Sequence, residues 1–265
     1  MEDRKKAEIL ARLSNLETEY QMRILLAVEY GSRAYGCASD ESDYDIRLIY
    51  VYPMERYLGL SIPQDSISVI EDDLDICGWE LRRALSHASK SNATFWEWMQ
   101  ARVIMDRLGF AQKIRDVAKP YFREKPLLHA QMRLIQSYRK EIMQGKKQAK
   151  NSLGLMRVAM QAVYIMQYHA VPPVEIKALI SQTVLPGTQD AGECEKLLEL
   201  CRNGQPDAEY TLSCELASSI DERIRLWLSG HPEQEERDLN AGQILPVCGV
   251  RPNRIGGYFC ERYKN

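Results

Sequence analysis

Histidine is scarce in this sequence, and the cysteines form no familiar metal or redox motif. The 265 residues include four histidines, none of them in an HExxH or HxxxH pattern. We therefore expect neither a histidine-based metal site nor a hydrolase that relies on a histidine base. The seven cysteines include no CxxC pair, which argues against a zinc ribbon or a thioredoxin-type site and favours reduced thiols.

Long apolar runs are also missing. No stretch approaches the roughly 18 apolar residues that a transmembrane helix requires, and the charged beginning MEDRKKAEILARL lacks the apolar segment of a secretory signal. We expect a cytoplasmic protein with no membrane partner. Hydrophobic residues make up 45% of the chain, which is ordinary for a globular protein with one large domain or two small ones.

Charge is distributed unevenly along the chain. The formal net charge is only -2, so the whole chain is not a polybasic nucleic-acid binder. Residues 119–157, however, contain ten Lys or Arg and two Glu, and both flanking regions are acidic. Such a basic run is most often a solvated helix face, and the alternative is a site for an anionic partner.

The apolar pattern predicts an α+β fold in which a short mixed sheet with helices is followed by an all-helical part. The predicted strands are 22–30, 44–52, 66–76 and 102–106. The predicted helices are 3–20, 78–90, 92–100, 108–118, 127–147, 150–170, 173–182, 191–202 and 211–229. We expect an α/β domain over 1–118, a helical domain over 119–230 and a loop-rich tail over 231–265.

Two short motifs on the first two strands carry the chemistry. Gly31 and Ser32 follow the first strand, and Asp43 and Asp45 stand ten residues later at the start of the second. Residues i and i+2 of a strand project from the same face, so these two carboxylates should converge. Glycine lets the backbone approach a phosphate closely, and the Ser32 hydroxyl can donate to phosphate oxygens.

A third carboxylate is expected from the next strand. Leu74 and Ile76 share one face, which leaves Asp73 and Asp75 on the other. The Gly-Trp pair that follows favours Asp75, and Asp73 stays an alternative. Three carboxylates at one place repel one another, and Mg²⁺ or Mn²⁺ would relieve that repulsion because hard cations prefer oxygen ligands. Two such ions suit an in-line displacement at phosphorus.

The spacing of these motifs resembles that of the DNA polymerase β-type nucleotidyltransferase superfamily. Gly31-Ser32, ten further residues and Asp43-Tyr44-Asp45-Ile46 follow its pattern. The segments 30–36, 42–47 and 75–85 are similar to predicted bacterial and phage nucleotidyltransferases that include an RNA-ligase-associated group. This similarity also favours Asp75 over Asp73 as the third acid.

The resemblance implies transfer of an NMP from an NTP to an acceptor hydroxyl or phosphate, with release of pyrophosphate. The catalytic and metal-binding residues that it implies are Asp43, Asp45 and Asp75. The nucleotide-binding residues that it implies are Gly31, Ser32, Arg33, Ser42, Lys150 and Arg157. The cofactor would be Mg²⁺ or Mn²⁺, and the fold a minimal nucleotidyltransferase domain followed by the helical domain.

Several alternatives stay open at this point. The chain could be a non-catalytic nucleotide-binding or regulatory module on the same fold. The acceptor could be an RNA end, a protein side chain or a small molecule, and neither the NTP nor the oligomeric state is specified. Arg47 shares a face with the acids and could neutralise them or touch the substrate. Tyr35 and Trp79 could stack on a base, although aromatic residues more often form core.

Overall fold

In the computed structural model, which describes residues 3–213 and 215–231, five strands form one mixed sheet. The strands are β1 (Arg23–Tyr30), β2 (Tyr44–Val51), β3 (Ser66–Glu71), β4 (Leu74–Glu80) and β5 (Val103–Asp106). Their order is β3-β4-β2-β1-β5. Only the pairing of β2 with β4 is parallel among these strands. The predicted α+β class with a mixed sheet is confirmed.

Helices precede the sheet, connect its strands and make up the rest of the described chain. They are α1 (Asp3–Glu19), α2 (Gly31–Tyr35), α3 (Met54–Leu58), α4 (Leu81–Ser89), α5 (Ala93–Gln100), α6 (Phe110–Ala118), α7 (Glu124–Met143), α8 (Ala149–Tyr168), α9 (Ile176–Thr183), α10 (Gln189–Arg202) and α11 (Glu215–Gly230). A 3₁₀ turn, Lys119–Tyr121, lies between α6 and α7. Polar side chains cap several N-termini; Asn92, for example, accepts a hydrogen bond from the Phe95 N–H.

The prediction of one strand over 66–76 was wrong, because the segment folds into the hairpin β3–β4. The chain turns at Asp72, whose φ of 43° lies in the left-handed region, a conformation that Asp tolerates better than most residues. The strand β4 then continues through Gly78, which had been assigned to a helix. A Cβ at Gly78 would overlap the side chain of Leu48 on β2, so this glycine allows the close parallel pairing.

Different helices cover the two faces of the sheet. Ile46 and Ile76 lie in a buried cluster with the apolar side of α1. Ile49 lies in the larger core on the opposite face, together with α5 and the later helices. Since side chains alternate along a strand, Asp45 and Asp75 lie on the face that points towards this larger core.

Helix α8 lies at the centre of the helical part. It packs against α7, α9, α10 and α11, and most of its residues are buried. The larger core joins residues of β1 to residues of α8 and α11, on both sides of residue 118. The division into 1–118 and 119–230 stays a prediction. The predicted tail 231–265 lies, apart from its first residue, outside the described residues.

None of the helices in the described part of the chain is both long and apolar enough to cross a membrane.

The close contact between α7 and α8 gives a test of the packing. A Cβ at Gly154 of α8 would lie 2.5 Å from Tyr138 of α7, whereas a Cβ at Gly192 of α10 would meet nothing within 4 Å. We expect Gly154→Ala to lower the free energy of unfolding by about 1–3 kcal/mol through overpacking. The control Gly192→Ala should raise it by up to about 1 kcal/mol, because alanine favours helix. Chemical denaturation of both variants measures the difference; equal effects would contradict the packing.

Candidate active site

The first part of the site is a close approach between the end of β1 and the start of β2. Tyr30 pairs with Asp45 in the antiparallel register, so the next residue, Gly31, begins the turn beside the Asp45 side chain. Gly31 has a φ of 64°, and a Cβ on it would overlap the Asp45 carboxylate. The glycine is therefore needed both for its backbone conformation and for the space that Asp45 occupies.

The parallel pairing of β2 with β4 brings two carboxylates together. Asp45 is aligned with Asp75 in the register, and Nη2 of Arg47 lies 2.9 Å from Asp45 Oδ1 and 3.2 Å from Asp75 Oδ2. The Asp75 side chain is only 3% exposed. Asp73, the alternative third acid, instead forms an ion pair with Lys5 of α1 at 2.8 Å. The structure thus brings Asp45 and Asp75 together and places Asp73 elsewhere.

The loop before β2 carries Asp43 and Ser42 and is held by Arg33. The Arg33 guanidinium donates to the main-chain oxygens of Ser42 at 2.7 Å and of Asp43 at 3.3 Å, and it lies 3.7 Å from the centre of the Tyr44 ring. The Ser42 hydroxyl accepts from the Ser39 N–H at 3.0 Å. In this structure Arg33 therefore orders the loop, and the nucleotide-binding roles of Arg33 and Ser42 stay predictions.

The donor chemistry of the acid pair suits a hard divalent cation. Asp45 and Asp75 offer carboxylate oxygens that reach one shared point, where the Arg47 nitrogen now provides positive charge. Among the described residues, no group of three or more His, Cys, Asp or Glu side chains is arranged to hold a metal ion. The pair fits Mg²⁺ or Mn²⁺, which would share it with Arg47 or replace that contact.

Arg157, predicted to bind the nucleotide, lies in a buried polar network. Its Nη1 donates to Glu97 of α5 at 2.7 Å, and Gln161 donates to the same carboxylate oxygen at 2.9 Å. The Tyr30 hydroxyl donates to the other oxygen of Glu97, and the Arg157 guanidinium lies 4.1 Å from the centre of the Tyr35 ring. The network joins the end of β1 to α5 and α8.

The charges in this network depend on one another. Burial alone would raise the pKa of Glu97, but the charge of Arg157 and the hydrogen bonds from Tyr30, Gln161 and Arg157 outweigh it and hold the pKa below its ordinary value. Burial and the neighbouring Glu97 carboxylate raise the pKa of Tyr30 well above its usual value. Glu97 is thus ionised and Tyr30 protonated at neutral pH.

Lys150 lies in the first turn of the same helix, about two turns before Arg157. Its Nζ is 2.7 Å from Asp207 Oδ1, in an ion pair whose side chains are half exposed or more. The structure therefore does not place Lys150 and Arg157 in one cluster, although both belong to α8. A nucleotide-binding role for either residue stays a prediction.

The aromatic residues near the site contact protein groups. Trp79 stacks on Trp98 with ring centres 3.7 Å apart, and its ring centre is 4.3 Å from that of His87. Burial, with Arg83 and Lys90 nearby, lowers the pKa of His87 to about 4, so this imidazole is neutral at pH 7.

Reasoning from the sequence had not singled out Glu97 as a functional residue. Glu97 is a charged residue within the apolar segment TFWEWM, and this contrast is the feature of the sequence that could have pointed to it.

A family model agrees with the motifs, and one curated relative and one solved structure are also similar to this chain. The sequence model of a family described as RlaP, the RNA repair pathway DNA polymerase beta family, matches residues 6–241. The chain is 32% identical over 203 residues to "Uncharacterized protein YcgL" of Bacillus subtilis (strain 168), covering 76% of this chain and 78% of that protein. A solved nucleotidyltransferase-like protein from Exiguobacterium sibiricum 255-15 is 14% identical, covers 86% of this chain and 75% of its own, and has a TM-score of 0.29.

The buried ion pair gives a prediction for stability at neutral and acid pH. Glu97→Gln leaves Arg157 buried without a counter-charge and should lower the free energy of unfolding at pH 7 by about 3–5 kcal/mol. The folded pKa of Glu97 is depressed, so its stabilisation is present above the unfolded pKa of about 4.3 and is lost as the pH falls through the folded value. The variant should therefore lose less stability than the wild type between pH 5 and pH 3.

Denaturant titrations across this pH range measure both effects. Glu8→Gln is the control, because the Glu8 side chain is 58% exposed in its pair with Lys5, and an exposed carboxylate of this kind contributes little. If Glu97→Gln and Glu8→Gln gave the same small change at pH 7, the network would not hold α5 and α8 together as described.

Proposed function

Because the chain belongs to the RNA repair pathway DNA polymerase beta family, we propose that it is a metal-dependent nucleotidyltransferase that moves an NMP from an NTP to an acceptor and releases pyrophosphate. The observation that carries this proposal is the placement of Asp45 beside both Gly31 and Asp75. It joins a glycine turn suited to a phosphate with a pair of carboxylates suited to a cation, at one point on the sheet.

In the proposed reaction the acceptor oxygen attacks the α-phosphorus of the NTP. The bond from the α-phosphorus to the bridging oxygen breaks, and pyrophosphate leaves with that electron pair. Asp43, Asp45 and Asp75 would hold Mg²⁺ or Mn²⁺, which neutralises charge on the phosphates when bound. Asp75, the most buried of the paired acids, would accept the proton of the acceptor hydroxyl. Catalysis of this kind depends chiefly on positioning and charge.

The turn beside the acids is the proposed place for the triphosphate. Gly31 lets the turn lie directly against the Asp45 carboxylate, and the Ser32 hydroxyl would donate to a phosphate oxygen. Arg33 supports the loop that carries Ser42 and Asp43 and would act on the nucleotide through that loop or directly. Arg157 of α8 would act on the nucleotide indirectly, through its contact with Glu97 and the contact of Glu97 with Tyr30.

The proposed metal ligands are tested by removing them in pairs. Asp43→Ala combined with Asp45→Ala should lower transfer of an α-labelled nucleotide by at least about a thousandfold, because the charge stabilisation at phosphorus is lost. Asp73→Asn is the matched control: it removes a carboxylate from the adjoining turn that pairs with Lys5 and not with the acid pair. It should leave transfer nearly unchanged.

The assay offers each NTP with Mg²⁺ or Mn²⁺ and a panel of acceptors, and denaturation curves confirm that the variants fold. Full transfer by the double variant would rule out the proposed site. Nucleotide binding by the wild type without transfer to any acceptor would favour the alternative of a regulatory nucleotide-binding module.

For the acceptor we propose an RNA end, because of the basic surface of α7. One side of this helix is buried, and the opposite side exposes Arg133 and Lys140, two turns apart. Lys146 and Lys147 follow in an exposed position just after the helix. Four exposed cations on and just after one helix suit the negative charge of a nucleic-acid backbone.

The salt dependence of binding tests this surface. The double variant Arg133→Gln with Lys140→Gln should bind a single-stranded RNA oligonucleotide several-fold more weakly than the wild type. Its slope of log affinity against log salt should be shallower by about 1.4, since each of the two lost phosphate contacts removes about 0.7. Arg4→Gln with Lys6→Gln changes the net charge equally on the exposed side of α1 and is the control.

Fluorescence anisotropy between 50 and 200 mM salt gives both affinities and slopes. Equal losses in the two double variants would show that α7 has no special part in binding. Binding that is insensitive to salt would favour a protein side chain or a small molecule as the acceptor.

A further inference from the structure

Arg47 is buried between the two carboxylates and is held at several points. The residue is 8% exposed. Its Nη2 donates to the carboxylates of Asp45 and Asp75, while Nη1 donates to the main-chain oxygens of Ile46 at 3.1 Å and of Asp75 at 2.8 Å. The guanidinium also lies 5.3 Å from the centre of the Tyr30 ring. A side chain held by four hydrogen bonds has a defined position, with both terminal nitrogens engaged.

The position of Arg47 follows from the strand register. Arg47 stands two residues after Asp45 on β2, so both side chains leave the same face of the sheet. Asp75 is level with Asp45 on the parallel neighbour β4. The guanidinium folds back between the two acids, where it supplies positive charge to the buried Asp75 and to Asp45, whose side chain is 18% exposed. The other role open to Arg47 is contact with substrate. That contact would need Nη1 or Nη2, and both already donate to protein oxygens.

We propose that Arg47 is a positioning residue that stands in for a cation at the Asp45–Asp75 pair, and that a divalent cation binds this pair in competition with the Arg47 contact. This inference rests on the proposed function, since it concerns the same acids. A fixed positive charge next to the cation ligands lowers their affinity for a second positive charge. Arg47 therefore orders the two acids in the absence of metal, and it also makes their affinity for a metal ion lower than it would be without the arginine.

The inference predicts opposite effects of one substitution on stability and on metal affinity. Arg47→Gln should lower the thermal midpoint of the metal-free protein, because Asp45 and Asp75 then lose the positive charge that lies between them. The same variant should bind Mn²⁺ about tenfold more tightly than the wild type, because the competing charge is gone. The rise in midpoint caused by saturating Mn²⁺ should therefore be larger in Arg47→Gln than in the wild type.

Arg107→Gln is the matched control. Arg107 also holds a carboxylate, that of Glu17 at 2.9 Å, and a main-chain oxygen, that of Ile24 at 2.9 Å. It lies away from the acid pair, so its loss should lower the midpoint without changing Mn²⁺ affinity. Arg47→Lys keeps the positive charge and should bind Mn²⁺ nearly as weakly as the wild type.

Mn²⁺ affinity is measured on the full chain by electron paramagnetic resonance of the free ion, and midpoints by calorimetry. If the wild type binds Mn²⁺ and Arg47→Gln binds it equally or more weakly, the competition is refuted while the nucleotidyltransferase proposal stands. If neither protein binds Mn²⁺, even with an NTP present, both the proposed metal site and the proposed competition are refuted.

A measurement on the wild type covers the case in which Arg47→Gln does not fold. The side-chain N–H signals of Arg47 in nitrogen-15 NMR, identified with Arg47→Lys, should shift during a Mg²⁺ titration with the same midpoint as Mg²⁺ binding. The side-chain signals of Arg107 should not move. Arg47 signals that stay constant while Mg²⁺ binds would overturn the inference.

Discussion

The requirement that buried carboxylates have a nearby positive charge shapes the centre of this molecule. Parallel pairing of β2 with β4 sets Asp45 level with Asp75, and Gly31 lets Asp45 lie against the backbone of the neighbouring turn. This arrangement would be unfavourable without compensation, since like charges at low dielectric repel strongly. Arg47 supplies the compensation from within the same strand. The acids can therefore be placed and ordered before any substrate or metal arrives.

The same requirement recurs where the sheet meets the helical part. Arg157 is buried, the Glu97 side chain is 12% exposed, and each is a counter-charge for the other. Tyr30 ends β1, donates to Glu97 and lies near the Arg47 guanidinium. Tyr30 thus lies near both Glu97 and Arg47, and Gly31 is the next residue in the chain. The positions of α5 and α8 are therefore linked through Tyr30 to the turn at Gly31. A buried pair of this kind adds little net stability, but it specifies which groups meet.

The family and the fold class could be predicted from the sequence, because the motif that carries the resemblance depends on local spacing, whereas the alignment of Asp45 with Asp75 depends on the register of β2 with β4. A glycine turn, a ten-residue interval and an Asp-x-Asp at a strand start act over short distances, and the match of the family model over residues 6–241 confirms the resemblance. The β3–β4 hairpin was missed because it depends on the backbone of Asp72, whose φ is positive. The partners of Arg157 could not be predicted from the sequence, because Glu97 is 60 residues away and only the packed fold shows that they meet.

Three arginines contact the residues at and around the turn at Gly31. Each donates hydrogen bonds to protein oxygens, and each guanidinium also lies near a tyrosine ring. Arg33 holds the loop before β2, Arg47 holds the acid pair, and Arg157 holds Glu97. An arginine engaged in this way still carries its charge, and Coulomb attraction acts on a triphosphate without direct contact. The hydrogen bonds of these arginines order the site, and on the proposed function their charge would also attract the phosphates of the nucleotide. Of the three, Arg47 alone donates to both Asp45 and Asp75, so its charge is the one that offsets theirs most directly.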